Sequence, residues 1–233
     1  MKRLLTLLLV VLSGSTAFAA SKTEQLPDWQ NPNVVERNRA PMTATFETDG
    51  LRLSLNGTWK FQWYESIPVR SLDFFNVNYD DRTWDEMPVP GMWELNGYGH
   101  PVYRNVGWAW HGQYENNPPF PADWHNYAGQ YRRTFELGED WMGKDIFLHI
   151  GSATSNVRVW INGKEVGYSE DSKLEARFNI TSFVKPGTNL IALEIFRWCD
   201  GTYLEDQDFW RLTGLARDTY IFSREKKRIE DVR

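Results

Sequence analysis

Three carboxylates stand within four residues towards the carboxyl end of the sequence, at Glu205, Asp206 and Asp208. If this stretch is extended, Asp206 and Asp208 point to one face and Glu205 to the other. Two carboxylates on one face repel each other, so a proton, a cation or an arginine must lie between them. The spacing is compatible with a ligand or cation site, with a catalytic pair for glycoside hydrolysis, and with ion pairs to Arg211 and Arg217 at a sheet edge.

The sequence is also rich in aromatic residues, with 12 Trp, 10 Tyr and 13 Phe. Aromatic rings are good platforms for sugar faces because they are apolar and, in Trp and Tyr, carry one polar group. Trp93, Trp108, Trp110 and Trp124 fall in a segment from 76 to 126 that is rich in proline, glycine and asparagine. Because long loops in compact domains are usually functional, these four are the tryptophans to consider as exposed sugar platforms, with a structural role as the more frequent alternative for each of them.

Composition and spacing exclude several other functions. The net charge of −5 disfavours binding to the negatively charged backbone of nucleic acids, so no nucleic-acid partner is expected. Cys199 is the single cysteine, which rules out a disulfide framework and a thiolate metal site. The histidines lack metal-ligand spacing, and His149 is predicted to be a core residue in an apolar strand. The sequence has neither a G-x-S-x-G elbow nor a glycine-rich phosphate loop.

Short alternating runs predict strands that would position these residues. The run from Thr58 to Tyr64 places Trp59, Phe61 and Trp63 on one face. Asn162-Gly163 between two such runs is a strong hairpin signal, since both residues of a type I′ turn need positive φ. Further strands are predicted at 130–135, 145–150, 157–161, 164–168, 190–196 and 219–222. With almost no helical periodicity, this pattern favours an all-β, two-sheet antiparallel sandwich.

The first residues have the features of an export signal. Lys2 and Arg3 precede an apolar run from Leu4 to Leu12, and Ala17-Phe18-Ala19 is an A-x-A cleavage signal. The run is too short to span a bilayer, so cleavage after Ala19 is expected and no membrane span is predicted. The protein is therefore expected to be periplasmic or secreted.

Four longer segments resemble the N-terminal domain of family 2 glycoside hydrolases. They are SLNGTWKF at 54–61, VPGMWELNGYGHPVYRNV at 89–106, VWINGKEVGYSEDS at 159–172 and RWCDGTYLEDQDFWRLTGLARD at 197–218. The last of these looks like the signature of the long β-galactosidases, and DWQNP at 28–32 is similar to their first segment. The resemblance covers about residues 26 to 225, nearly all of the chain after the signal.

This resemblance implies a jelly-roll sandwich, galactose-binding-domain-like, with a sugar-binding role. In the family an immunoglobulin-like domain follows, and then a barrel that carries the catalytic glutamates and a magnesium site. We therefore expect a signal peptide at 1–19, an extended N-terminal arm at 20–50 and the jelly roll at 51–224. Residues 225–233 are expected to be a linker and the first strand of the immunoglobulin-like domain.

The resemblance also assigns two site residues and one cation. Asn105, in the sequence YRNV, matches a loop asparagine that reaches the galactose pocket. Asp208 matches an aspartate that contacts sugar hydroxyls and helps to hold sodium. A carboxylate suits both roles, because it accepts hydrogen bonds and is a hard oxygen ligand. The resemblance leaves no catalytic role for the carboxylate pair at 206 and 208, and magnesium is expected only on the barrel.

The function expected from the resemblance is that of the N-terminal sugar-binding domain of an exported β-galactosidase. Such an enzyme hydrolyses terminal β-D-galactosides by a retaining mechanism, and this chain alone is expected to be inactive. Its expected partners are the β-galactoside and the remaining domains of the parent enzyme, which is expected to be a homo-oligomer. The alternative is a free-standing carbohydrate-binding module without hydrolytic activity.

Overall fold

The computed structural model describes residues 26–42, 50–205 and 207–229. The predicted signal peptide at 1–19 and the carboxylate of Asp206 lie outside the described residues. None of the helices in the described ranges has the length and apolar character that a membrane-spanning helix requires.

The described residues form antiparallel strands joined by loops and 3₁₀ turns, which confirms the all-β prediction. The first strands are β1 (Glu36–Arg37), β2 (Arg52–Ser54), β3 (Gly57–Tyr64), β4 (Asp85–Val89), β5 (Gly91–Met92) and β6 (Val102–Arg104). They are followed by β7 (Ala128–Leu137), β8 (Asp145–Ile150), β9 (Asn156–Ile161), β10 (Lys164–Glu170) and β11 (Ala176–Asn179). The last are β12 (Gly187–Phe196), β13 (Phe209–Arg211), β14 (Gly214–Leu215) and β15 (Thr219–Arg224). The 3₁₀ turns span Asp28–Gln30, Ile67–Val69, Glu94–Asn96, Glu139–Trp141 and Asp200–Tyr203.

Two sheets contain most of the strands. The large sheet has the order β1-β10-β9-β12-β7-β3-β4, and the small sheet has the order β11-β8-β15-β2. Two short ladders, β13 with β6 and β14 with β5, lie beside them. Since every pairing is antiparallel and one core separates the two sheets, the arrangement is that of a sandwich.

Alternation along the strands decides which side chains fill this core. Trp59 and Phe61 of β3 are buried in it, and Trp63 packs against it, as the sequence predicts. In β8 the residues Ile146, Leu148 and Ile150 point inwards. His149 is buried as predicted, but the alternation places it on the outer side of the small sheet. There its ring stacks on Tyr220 at 4.2 Å, and its Nδ1 lies 3.3 Å from a carboxylate oxygen of Glu175.

The predicted hairpin between β9 and β10 is present. Asn162 and Gly163 have φ values of 51° and 80°, the left-handed values that a type I′ turn requires. The Asn162 side chain also accepts a hydrogen bond from the Leu190 amide at 2.9 Å, so the turn is attached to β12.

For two of the four loop tryptophans the structural alternative holds. Trp93 and Trp110 have no exposed surface, Trp108 is half-buried, and Trp124 is 61% exposed. The Trp93 indole donates a hydrogen bond to the Tyr131 hydroxyl at 2.5 Å, inside the main core. Trp110 packs against Trp198 and Tyr203, which lie outside the long loop, so a second and smaller core forms where the loop meets the rest of the domain. That second core contains Ala109, Trp110, Trp198 and Tyr203, with Trp108 and Tyr114 packed against it.

The described part of the predicted arm is attached to the large sheet. Glu36 and Arg37 form β1, which pairs with β10 at the sheet edge. Asp28 is buried and accepts hydrogen bonds from Arg37 at 2.8 Å and from Arg158 of β9 at 2.7 Å. The boundaries of the arm, the jelly roll and the linker stay predictions.

Candidate functional site

The two predicted site residues lie at the same end of the ladder formed by β6 and β13, called here the site ladder. Its register pairs Tyr103 with Trp210. Asn105 directly follows β6, and Asp208 directly precedes β13. Because the strands are antiparallel, the two residues meet at the tip of the ladder, and both are exposed there.

A tyrosine holds the Asp208 carboxylate. The Tyr103 hydroxyl donates a hydrogen bond to Asp208 Oδ1 at 2.5 Å, and its ring makes an edge contact with Trp210 at 5.5 Å. This hydrogen bond and the carboxylate charge raise the pKa of Tyr103, because both favour the protonated phenol. Within the described ranges, Asp208 has no other hydrogen-bond partner and the Asn105 amide has none. Both side chains can therefore form hydrogen bonds with a ligand.

Several apolar residues in the two segments that meet at this tip are exposed. Tyr103, Phe209 and Trp210 are each about half exposed, and Leu204 and Val106 are more exposed still. Rings with one accessible face beside hydrogen-bonding groups can bind sugars. The sequence pointed to the tryptophans of the long loop for this role, whereas the structure places Tyr103, Phe209 and Trp210 next to Asp208.

A buried ion pair holds the base of the site ladder. Arg197 donates a hydrogen bond to the carbonyl of His100, just before β6, at 2.8 Å. Glu94 accepts hydrogen bonds from the amide and the hydroxyl of Thr213, just after β13, at 2.8 and 2.9 Å. The Glu94 carboxylate lies 3.8 Å from the Arg197 guanidinium, and both side chains are nearly inaccessible. The pair thus fixes the end of the ladder opposite to Asn105 and Asp208.

The third carboxylate of the sequence cluster has a structural partner. Glu205 accepts a hydrogen bond from the Ser172 amide at 2.9 Å and a second from the Ser172 hydroxyl. These bonds tie the segment before the site ladder to the end of β10. Because Asp206 lies outside the described residues, the structure does not test whether it shares a face with Asp208.

A buried group beside the site ladder has the geometry for a metal ion. Ligand atoms of Glu170, Cys199 and Asp200 lie within 4.8 Å of one another, and Asp208 is not among them. Burial raises the pKa of Glu170 to about 8 and also raises the pKa of Asp200. Burial likewise raises the pKa of the Cys199 thiol, so its sulfur is protonated when no metal is bound. The two carboxyl groups therefore need a shared proton or a cation between them.

Comparison with protein families gives the family of this domain. A family model described as "Glycosyl hydrolases family 2, sugar binding domain" matches residues 52–225. The chain belongs to glycoside hydrolase family 2. The match extends from β2 to the residue after β15, so it includes both strands of the site ladder.

Curated relatives support the family and show how much of a longer protein the chain represents. A β-galactosidase from Priestia megaterium is 39% identical over 220 residues, which are 88% of this chain and 21% of the relative. A β-galactosidase from Vibrio vulnificus is 39% identical over 230 residues, 93% of this chain and 21% of the relative. The chain thus spans about a fifth of the length of these relatives and corresponds to their sugar-binding domain.

Solved structures of β-glucuronidases share the fold. A Bacteroides uniformis β-glucuronidase 2, covalently bound to a cyclophellitol-6-carboxylate aziridine, aligns with a TM-score of 0.58 and 22% identity. The alignment covers 76% of this chain and 18% of the other. A Ruminococcus gnavus β-glucuronidase aligns over 78% of this chain and 30% of the other, with a TM-score of 0.56 and 19% identity. At these identities the likeness concerns the fold alone.

Proposed function

We propose that this chain is the sugar-binding domain of an exported β-galactosidase and that Asn105 and Asp208 contact the galactose. The observation that carries the proposal is the meeting of these two residues at the exposed tip of the site ladder. Relatives with 39% identity carry the name β-galactosidase, which favours a galactoside over a glucuronide. The strand order of the two sheets supports the jelly-roll topology expected for such a domain.

The chemistry of the tip suits a neutral sugar. A carboxylate accepts hydrogen bonds from sugar hydroxyls, and the Asn105 amide offers both a donor and an acceptor. Tyr103 fixes Oδ1 of Asp208, so that Oδ2 keeps a constant direction. The half-exposed rings of Tyr103 and Trp210 provide an apolar surface beside these groups.

We also propose that Asp208 contributes one ligand to a sodium ion. An exposed carboxylate oxygen without a partner in the described ranges is a suitable donor for a hard cation. A bound sodium would supply a positive charge that orients a sugar hydroxyl. Further ligands would come from water or from other parts of the parent enzyme.

The chain alone is proposed to be inactive. A retaining glycosidase needs two carboxyl groups about 5–5.5 Å apart, one as acid and one as nucleophile. At the tip, Asp208 is exposed, while Glu205 is engaged by Ser172. The double displacement would take place on the barrel of the parent enzyme, where its magnesium is also expected. Export to the periplasm or the medium rests on Lys2, Arg3 and the apolar run that follows them.

The test is an assay of the purified chain with an aryl β-galactoside, followed by titration with galactose. We expect no turnover and at most weak galactose binding. Turnover that is lost in Asp208→Ala would overturn the proposal of an inactive domain. Tight, saturable binding that Trp210→Ala weakens, with no turnover, would favour the free-standing carbohydrate-binding module instead. Trp124→Ala is the matched control, because Trp124 is exposed and lies away from the site ladder in sequence.

A further inference from the structure

A pocket separate from the site ladder lies on the outer face of the large sheet. Its volume is about 550 Å³, which is within the usual range for small-molecule sites. The sheet lines it with Lys60 of β3 and with Arg132 and Thr134 of β7. The loop between β3 and β4 contributes Tyr79. Its lining includes no residue of the site ladder.

Two cations face each other in this pocket. Lys60 and Arg132 are directly opposite in the ladder of β3 and β7, an arrangement that destabilises a sheet when nothing compensates the charges. Arg132 is compensated, because its guanidinium is buried and lies 2.7 Å from a carboxylate oxygen of Asp81. It also donates hydrogen bonds to the carbonyls of Phe74 and Asn76.

Lys60 forms no ion pair within the described part of the chain. Its ammonium group makes one long contact, 3.5 Å to the carbonyl of Trp84. Glu86 is opposite Lys60 on β4, yet the two do not form an ion pair. Lys185, which lines the same pocket, also has no carboxylate within ion-pair distance in the described ranges. Two ammonium groups that form no ion pair in the described ranges therefore line one cavity of a chain whose net charge is −5.

We infer that this pocket binds an anionic group, a sulfate or a carboxylate, either as a free anion or as a substituent of a sugar. Lys60 and Lys185 would supply the charge-assisted hydrogen bonds, and the Thr134 hydroxyl a further donor. The Tyr79 ring forms an apolar wall that a sugar ring could contact. Asp81 is already engaged by Arg132, so it repels an anion less than an unpaired carboxylate would.

The pocket is separate from the site ladder. Leu190, near the start of β12, lines the pocket, whereas Arg197 directly follows the end of β12 and anchors the site ladder. Leu190 and Arg197 are seven residues apart along extended backbone, a distance of about 23 Å at 3.3 Å per residue. The two sites share no residue, so binding at each can be measured separately and a failure at one does not imply a failure at the other.

The experiment is an NMR titration of the purified chain with sodium sulfate, galactose 6-sulfate, galacturonate and neutral galactose. We expect the three anions to shift the amide signals of β3 and β7, and galactose to leave them unchanged. Lys60→Gln and Lys185→Gln should each weaken anion binding at least about fivefold, since each removes a charge-assisted hydrogen bond. Lys164→Gln is the control, because Lys164 is exposed outside the pocket and has no ion pair in the described ranges.

The outcomes also distinguish the two sources of the anion. Equal affinities for sulfate and galactose 6-sulfate would assign the pocket to a free anion. Tighter binding of the sugar sulfate, reduced by Tyr79→Ala, would assign it to a charged sugar. The inference is overturned if no anion shifts these signals at about 50 mM, a concentration far above the Kd of a site that binds in the millimolar range. Equal binding by Lys185→Gln and the unsubstituted chain would overturn it as well, because this exposed position tolerates glutamine without loss of fold.

Discussion

Replacing Glu94 with alanine should strongly destabilise the domain and loosen the site ladder. The change removes both hydrogen bonds to Thr213, whose amide is buried, and the only carboxylate within ion-pair distance of Arg197 in the described ranges. Burial raises the pKa of Glu94 and lowers that of Arg197, so each ion is costly to keep without the other. Breaking a buried pair by removing one partner costs about 3–5 kcal/mol in free energy of unfolding.

Glutamine at the same position separates hydrogen bonding from charge. Glu94→Gln can still accept from the Thr213 amide and bond its hydroxyl, but it also leaves Arg197 without a carboxylate, so we expect it to cost about 1–2 kcal/mol less than the alanine change. Urea unfolding followed by circular dichroism measures both values. Hydrogen exchange should show faster exchange of the β6 and β13 amides in the alanine variant. Glu139→Ala, at an exposed acid, is the control and should change stability by less than about 0.5 kcal/mol. An alanine variant within about 1 kcal/mol of the unsubstituted chain would refute the anchoring role of Glu94.

Three further predictions concern the buried acids, the loop aromatics and the tip of the ladder. Because the folded pKa of Glu170 is raised to about 8 from an ordinary 4.5, the contribution of this group to stability is full below pH 4.5 and is lost as pH rises through 8. Glu170→Gln should flatten this dependence in urea unfolding across that range, and an unchanged slope would contradict the assignment. Trp110→Ala should cost about 3–5 kcal/mol, whereas Trp124→Ala should cost less than about 0.5 kcal/mol in the same assay. Equal costs would contradict the second core around Trp110. Asp208→Asn should lower the pKa of Tyr103 in a tyrosinate absorbance titration, and an unchanged titration would show that the hydrogen bond is absent.

The sheets could be predicted because their signals are local. The alternation of Trp59 and Phe61 and the Asn162-Gly163 turn each lie within a few neighbouring residues, so the strands and their buried faces follow from the sequence. β1 and the short strands of the site ladder have two or three residues each, too few to show a period.

The supports of the site could not be predicted in this way. Glu94 and Thr213 are 119 residues apart, and no local pattern links them. Trp93 and Trp110 stand in segments that resemble exposed loops, but their burial depends on Tyr131 and Trp198 in other parts of the chain. Asn105 and Asp208 were assigned from the family resemblance, and their meeting at one tip required the pairing of β6 with β13.

The central claim is that Asn105 and Asp208 contact the galactose of a β-galactosidase. Its most direct test is a chimera in which residues 26–229 replace the matching domain of the Priestia megaterium relative, to which the chain is 39% identical. We predict that the chimera hydrolyses an aryl β-galactoside and that Asp208→Ala and Asn105→Ala each lower kcat/KM at least about tenfold. Glu139→Ala should leave kcat/KM unchanged. A chimera whose kcat/KM is the same with and without Asp208 would contradict the claim.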